Sequence, residues 1–272
     1  MRRTETTTRY QISRSQALLL HALLKYRFLT TDLLADLLKK DRSTIYERLA
    51  VLVDRGYAAK KYSSTYRIDR RPATYYLAPA GIRYLKAQGV ERTQLHYKNK
   101  DFTEAQIDEY YRYPQFSRSV HLNYPEMYRT YTKYQLDPEE YLNPMPWLLF
   151  VPDAEDAPEL FMEYIPAGEQ SWIIRKRINQ HIEFADESEY RHPYLLLVAG
   201  NDNTEKRIVK LSTDLIWDSE LFTTTEEHLL SDNKNIWLRP MEVDWDEELT
   251  YHELPVGFVE EWHGRFYSRG KV

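Results

Sequence analysis

The run Leu29-Thr-Thr-Asp-Leu-Leu-Ala-Asp-Leu-Leu-Lys-Lys40, a break at Asp41-Arg42, and the run Ser43-Thr-Ile-Tyr-Glu-Arg-Leu-Ala-Val-Leu-Val-Asp-Arg-Gly56 leave this chain few ways to fold between residues 26 and 80. Leu33, Leu34, Leu37 and Leu38 fall on one face of a helix of 3.6-residue period, and Ile45, Leu49 and Leu52 on one face of another. Thr30 or Thr31 is placed to cap the first helix, Ser43 to cap the second, and Gly56 to end it. Helices this short, joined by so few residues, share a core only by crossing steeply, so the pair is predicted to be a helix-turn-helix. Residues 15–26 are predicted to form a preceding helix that turns Leu18, Leu19, Ala22 and Leu23 toward it.

After Gly56, residues 57–62 and 73–77 read as two short tyrosine-rich strands around a polar loop that holds Arg67, Arg70 and Arg71. A helix follows, with Pro79 in its first turn, and Gly89 ends it. A helix pair followed by a hairpin is the pattern of a winged helix-turn-helix domain, expected over residues 12–90. The charge supports a polyanion as its partner. Residues 1–100 hold 21 Lys and Arg against 8 Asp and Glu, a balance of +13; the remaining 16 against 34 give −18. That asymmetry points to a front that binds nucleic acid and a back that does something else.

The outward arc of the second helix carries Ser43, Glu47, Ala50 and Asp54, with Thr44 and Tyr46 at its flank. It is poor in cations, so Arg42, Lys60, Lys61, Arg67, Arg70 and Arg71 are expected to supply phosphate attraction. Ser43, Thr44 and Tyr46 are placed to touch phosphates or base edges, and Glu47 can only accept, as toward a cytosine amino group. The partner expected for this surface is double-stranded DNA.

Residues 91–116 mix tyrosine with charge and hold little aliphatic content; they read as a linker with local helix at 103–111. Residues 117–135 read as a helix with His121, Tyr124, Tyr128 and Tyr131 in register, and 138–146 as loop. Strands are expected at 147–151, 160–165, 194–199 and 235–239, a helix at 171–184, and either a helix or a strand at 206–211. Residues 117–243 therefore form an α/β domain with a mixed sheet, and 244–272 an acidic, then aromatic, tail. The whole is α+β.

Several chemistries are absent from the pattern. There is no cysteine, hence no disulfide or thiolate metal site. No apolar run approaches the roughly 18 residues of a membrane span, and the basic start leads into Thr4-Glu-Thr-Thr-Thr8, so a cytoplasmic protein without a membrane partner is expected. Gly264 and Gly270-Lys271 stand one residue too far apart for a phosphate loop, and neither a His-Glu-x-x-His nor a Gly-x-Ser-x-Gly pattern occurs. One constellation remains. Pro152-Asp153 ends one strand and Glu163 lies within the next, a spacing like that of the Mg²⁺-holding carboxylates of PD-(D/E)xK nucleases. The lysine of that pattern is replaced by Ile165, with Lys176 on the following helix as a substitute. Asp153 and Glu163 are thus candidate metal ligands, and Mg²⁺ is expected only if the domain cuts DNA. The alternative is that both are ordinary strand-end and packing carboxylates.

The run Leu23-Leu-Lys-Tyr-Arg-Phe-Leu-Thr-Thr-Asp-Leu-Leu34, the helix from Ser43 to Gly56, Tyr75-Tyr-Leu-Ala-Pro-Ala-Gly81, His121 ahead of a tyrosine-rich helix, and Pro152-Asp153 followed by Phe161-Met-Glu163 resemble the replication-relaxation family over most of the chain. The resemblance implies a winged helix joined to a nuclease-like domain on a plasmid or other mobile element. It also implies a role in replication, DNA relaxation or mobilisation, with replication or transfer proteins, or a second copy, as further partners. The combined expectation is a sequence-selective DNA-binding accessory factor. A transcriptional regulator and a Mg²⁺-dependent endonuclease are the alternatives.

Overall fold

In the computed structural model the described residues are 11–62, 71–90, 93–123, 128–133, 135–136, 146–152, 159–187, 193–213, 220–231, 236–240 and 251. The chain divides into two compact α+β units, Met1–Pro114 and Gln115–Val272. The division falls inside one helix.

In the first unit, α1 (Arg14–Tyr26) starts at a capping box: the Ser13 hydroxyl accepts from the Gln16 amide, and the Gln16 side chain accepts from the Ser13 amide. Gln16, Leu19, Leu20 and Leu23 form its buried stripe, a cleaner 3.6-residue period than the expected set. Leu18, expected to face inward, is 50% exposed. After β1 (Leu29–Thr30) the Thr30 hydroxyl caps α2 (Thr31–Leu38) by accepting from the Leu33 amide at 3.2 Å. α2 ends on Lys39 in the left-handed region, φ 50°.

α3 (Arg42–Asp54) begins at Asp41, so Ser43 is a residue of its first turn and not its cap. With so short a connection the chain re-enters helix at once, and Asp41 holds the cap position without a side-chain bond. Ile45, Leu49 and Leu52 are fully buried, as their spacing requires. Gly56 ends α3 at φ +70°: its amide donates to the Val53 carbonyl at 3.0 Å and the Tyr57 amide to that of Leu52 at 2.8 Å, a Schellman closure.

β2 (Ala58–Lys61) pairs antiparallel with β3 (Thr74–Leu77), Ala58 opposite Leu77 and Lys61 opposite Thr74, and β1 lies on the other side of β3. α4 (Pro79–Ala87) carries proline in its first turn. Its Gly81 sits against the backbone of Tyr57, where a Cβ would fall 2.1 Å from the carbonyl oxygen.

The expected linker is instead built into this unit. A 3₁₀ helix (Thr93–Asp101) and α5 (Glu104–Asn123) bring His96, Asn99, Ile107 and Tyr113 into buried positions. Arg27, at φ 70°, is buried; its Nε donates to Asn99 Oδ1 at 2.6 Å and its Nη1 to the Tyr110 hydroxyl at 3.1 Å. Its guanidinium also lies 4.3 Å from the centre of the Phe102 ring. Phe28 meets Phe102 and Tyr110 at centroid distances of 5.4 and 5.3 Å. The segment packs through rings and polar groups, so it lacks the aliphatic period that marks a core helix.

In the second unit the sheet order is β4-β5-β6-β7-β8, with β4 (Tyr128–Thr132), β5 (Leu148–Pro152), β6 (Leu160–Ile165), β7 (Tyr194–Ala199) and β8 (Leu221–Thr225). β4, β5 and β6 are antiparallel neighbours, whereas β6, β7 and β8 are parallel, giving the mixed sheet that was expected. Two helices, α6 (Ser171–Glu187) and α7 (Asp202–Ser212), make the parallel crossovers, and the short α8 (Glu226–Leu229) follows β8. Ile174, Ile178 and Ile208 of α6 and α7 join Leu149, Phe161, Ile165, Leu195, Leu197 and Ala199 in one apolar cluster. Residues 115–123 of α5 meet other groups of the unit: His121 Nε2 lies 2.7 Å from the Thr130 hydroxyl, and the Ser119 hydroxyl donates to the Leu229 carbonyl.

The helix expected through residue 135 stops at Asn123, and Tyr128-Arg-Thr-Tyr-Thr132 is β4. Arg129 is exposed and Thr130 buried, the alternation of a strand that tyrosine spacing alone disguised. Residues 206–211 belong to α7, and the described residues of the strand expected at 235–239 form only isolated bridges at Trp237 and Leu238, the latter to Thr223. Residues 138–145 of the loop expected at 138–146, and the tail after 244 apart from Tyr251, lie outside the described residues. No helix among the described residues is long and apolar enough to cross a membrane.

Candidate functional site

α3 carries Arg42, Ser43, Tyr46, Glu47, Ala50, Val51 and Asp54 exposed, while Thr44 is half-buried. Burial of Ile45, Leu49 and Leu52 on the opposite side fixes that face outward. Tyr46 is 54% exposed and Val51 40%, two large apolar groups flanking Glu47 and Ala50. Arg42 stands at the start of the helix with its Nε 2.9 Å from Asp32 of α2, an exposed pair of small energetic weight.

The cations expected on the hairpin divide. Lys60 is exposed, with its ammonium 5.0 Å from the Tyr62 ring centre. Lys61 is turned to the segment after the 3₁₀ helix and donates to the Phe102 carbonyl. Arg71 bridges Asp108 at 2.8 Å and Glu104 at 3.4 Å. Arg67 and Arg70 lie outside the described residues. Counting the acidic residues at 101, 104, 108 and 109, the first unit holds 22 Lys and Arg against 12 Asp and Glu, a balance of +10. The structure adds two cations that the reading of the hairpin overlooked. Lys39 and Lys40, both exposed, form the turn between α2 and α3, beside the start of the α3 face. An adjacent lysine pair in the short break between two amphipathic helices was the available signal.

In the second unit Glu163 is 4% exposed in β6, and its side chain is turned to α6. Arg177 donates to its carboxylate, and His181 Nε2 lies 3.0 Å from the same oxygen. Arg177 and His181 are one helical turn apart on the side of α6 that buries Ile174 and Ile178, which explains why both reach one carboxylate. Burial lowers the His181 pKa, opposed by its hydrogen bond and attraction to Glu163 and reinforced by Arg177. The imidazole is therefore neutral at pH 7, and a bond to a carboxylate requires its proton on Nε2, leaving Nδ1 as a bare acceptor without a partner.

Of the three consecutive cations Arg175, Lys176 and Arg177, the first two are exposed and the third faces inward. Lys176 therefore does not take the place of the lysine missing at Ile165, which is itself buried in the core. Asp153 lies outside the described residues. Among the described residues no three His, Asp or Glu side chains converge as a metal-holding group. The Glu163 arrangement is suited to locking α6 against the sheet, because a metal at this carboxylate would have to compete with a buried guanidinium.

A comparison of the chain with models of protein families, with curated proteins and with solved structures finds no match.

Proposed function

We propose that residues 12–90 form a winged helix-turn-helix that binds double-stranded DNA sequence-selectively in the major groove through α3. The observation that carries this reading is the exposed face of α3, entered from the Lys39-Lys40 turn and followed by the β2–β3 hairpin, in a unit of charge +10. Lys39, Lys40, Arg42 and Lys60 attract phosphate, and Ser43, Tyr46 and Glu47 meet base edges. The second unit, of charge −15, is a nuclease-like domain used for assembly with replication or transfer proteins or with a second copy. The engagement of Glu163 by Arg177 and His181 weighs against a metal-held cleavage site at that carboxylate.

The cellular role follows from the resemblance to the replication-relaxation family: a cytoplasmic accessory factor in replication, relaxation or transfer of a plasmid or mobile element. Selection of duplexes from a random-sequence pool by the full-length chain tests the binding reading. One enriched motif, with affinity falling steeply as salt rises, is the expected result. Equal retention of all duplexes, or none, would overturn it. Sequencing DNA that co-purifies with the chain tests the role, since origin or transfer-region sites support it and promoter sites favour a transcriptional regulator.

A further inference from the structure

The face of α3 offers a reader little with which to recognise purines. Guanine is read by cations through its N7 and O6, and adenine by Asn or Gln. The exposed residues of α3 past Arg42 are Ser43, Tyr46, Glu47, Ala50, Val51 and Asp54, among which there is no cation, Asn or Gln; Arg48 is half-buried beside Leu49, and the exposed Arg55 follows the end of the helix. What the face does hold is one acceptor suited to a cytosine amino group, Glu47, with apolar surface on both sides. Tyr46 is 54% exposed and Val51 40%; the exposed Ala50 lies with Tyr46 on one side of Glu47 and Val51 on the other. Apolar side chains in a major groove have one strongly apolar partner there, the C5-methyl of thymine. Resting on the DNA-binding reading above, we infer that Tyr46, Ala50 and Val51 read thymine methyl groups around a cytosine held by Glu47, so that the target is recognised through a pyrimidine-rich strand.

The geometry suits a short site. From Ser43 to Ala50 the helix rises about 10 Å, near three base-pair steps. Positions 46, 47, 50 and 51 follow the i, i+4 rows of one surface, so their side chains address adjacent base pairs. The occupant is argued from charge: the face is apolar and acceptor-bearing, but Lys39, Lys40 and Arg42 at its N-terminal end bring a phosphate backbone to it.

The test uses the full-length chain and the duplex enriched from the random pool, resynthesised with deoxyuridine for thymidine on one strand at a time. Substitution in the pyrimidine-rich strand is expected to weaken binding about four-fold per contacted methyl, the equivalent of leaving one hydrocarbon group unburied. Val51→Ala should bind the thymidine duplex more weakly and lose part of its sensitivity to deoxyuridine, and Glu47→Gln should shift the selected cytosine toward adenine. Wild-type chain that binds its enriched duplex but is indifferent to deoxyuridine in either strand overturns this inference and leaves the DNA-binding reading standing. Failure to enrich any duplex overturns both. If Val51→Ala changes the oligomeric state in sedimentation while its deoxyuridine sensitivity stays at the wild-type level, the face is a contact between copies and the inference is wrong. Circular dichroism confirms that the surface variants remain folded.

Discussion

Replacing Arg177 by Met removes the charged partner that α6 gives the Glu163 carboxylate, leaving it beside a neutral imidazole. The side chains of Glu163 and Arg177 are 5% and 11% exposed, so solvent screens the pair little. Removing one member of such a pair costs about 3–5 kcal/mol, whereas an exposed pair loses under about 1 kcal/mol. For a unit of this size the melting temperature should fall by roughly 10 °C at pH 8. All six tryptophans, at 147, 172, 217, 237, 245 and 262, lie in the second unit, so fluorescence during denaturant unfolding reports that unit alone.

The pH dependence makes the test specific. In the native protein the His181 pKa is depressed, so unfolded chain binds the proton more readily, and stability present above the ordinary histidine value near 6.5 is lost as pH falls below it. In Arg177→Met the repulsion from the guanidinium disappears and the attraction of Glu163 remains, which raises the His181 pKa toward its ordinary value while burial still opposes the charge. Protonation then restores a positive partner for Glu163, so the deficit relative to wild type should shrink between pH 8 and pH 5.5. Full recovery is not expected, because the new Nδ1 proton has no acceptor. Glu163→Leu combined with Arg177→Met should lose less than either single change. A deficit below about 1 kcal/mol at pH 8, or one that does not narrow on acidification, would refute this account of the pair.

Three further outcomes are expected. Burial and the nearby Arg27 lower the His96 pKa to about 4, so the first unit should lose about 1.4 kcal/mol per pH unit from near 6.5 down toward that value; far-UV circular dichroism of wild type and His96→Gln, which should flatten the dependence, checks it. Gly81→Ala drives a methyl into the Tyr57 carbonyl and should destabilise the first unit by about 1–3 kcal/mol, read from its thermal midpoint by circular dichroism. Lys39→Ala with Lys40→Ala should reduce the slope of log affinity against log salt by about 2, and Arg71→Ala should change it less because Glu104 and Asp108 already engage that side chain.

The helices and strands that were legible from sequence were those with aliphatic period. Ile45, Leu49 and Leu52 marked the buried face of α3, and the ranges 160–165 and 194–199 coincide with β6 and β7. β8 escaped notice because three of its five residues are threonines, and Thr223, Thr224 and Thr225 are buried despite their hydroxyls. The packed role of residues 93–114 was equally hidden, since guanidinium, amide and ring contacts carry no fixed period. At the candidate sites the residue types were readable, but their directions were not. Sequence singled out Lys176 among the consecutive cations Arg175, Lys176 and Arg177, whereas helix phase against Ile174 and Ile178 turns Arg177 inward. Whether Arg71 faced solvent or an acidic neighbour depended on a segment 33 and 37 residues further along.

The clasp between Arg27 and Asn99 bears on how this chain tolerates insertions. A spacer accepts added residues because nothing in it must arrive at a fixed place. Here Asn99 must meet a guanidinium whose own backbone is held at φ 70°, and Phe102 and Tyr110 must arrive beside Phe28. One extra residue between Val90 and Asn99 would rotate the amide away from Arg27, depriving the buried guanidinium of the acceptor that Asn99 supplies. The length of this segment is therefore constrained as tightly as that of a core helix, and a fragment cut at residue 90 would expose Phe28 and Arg27 together.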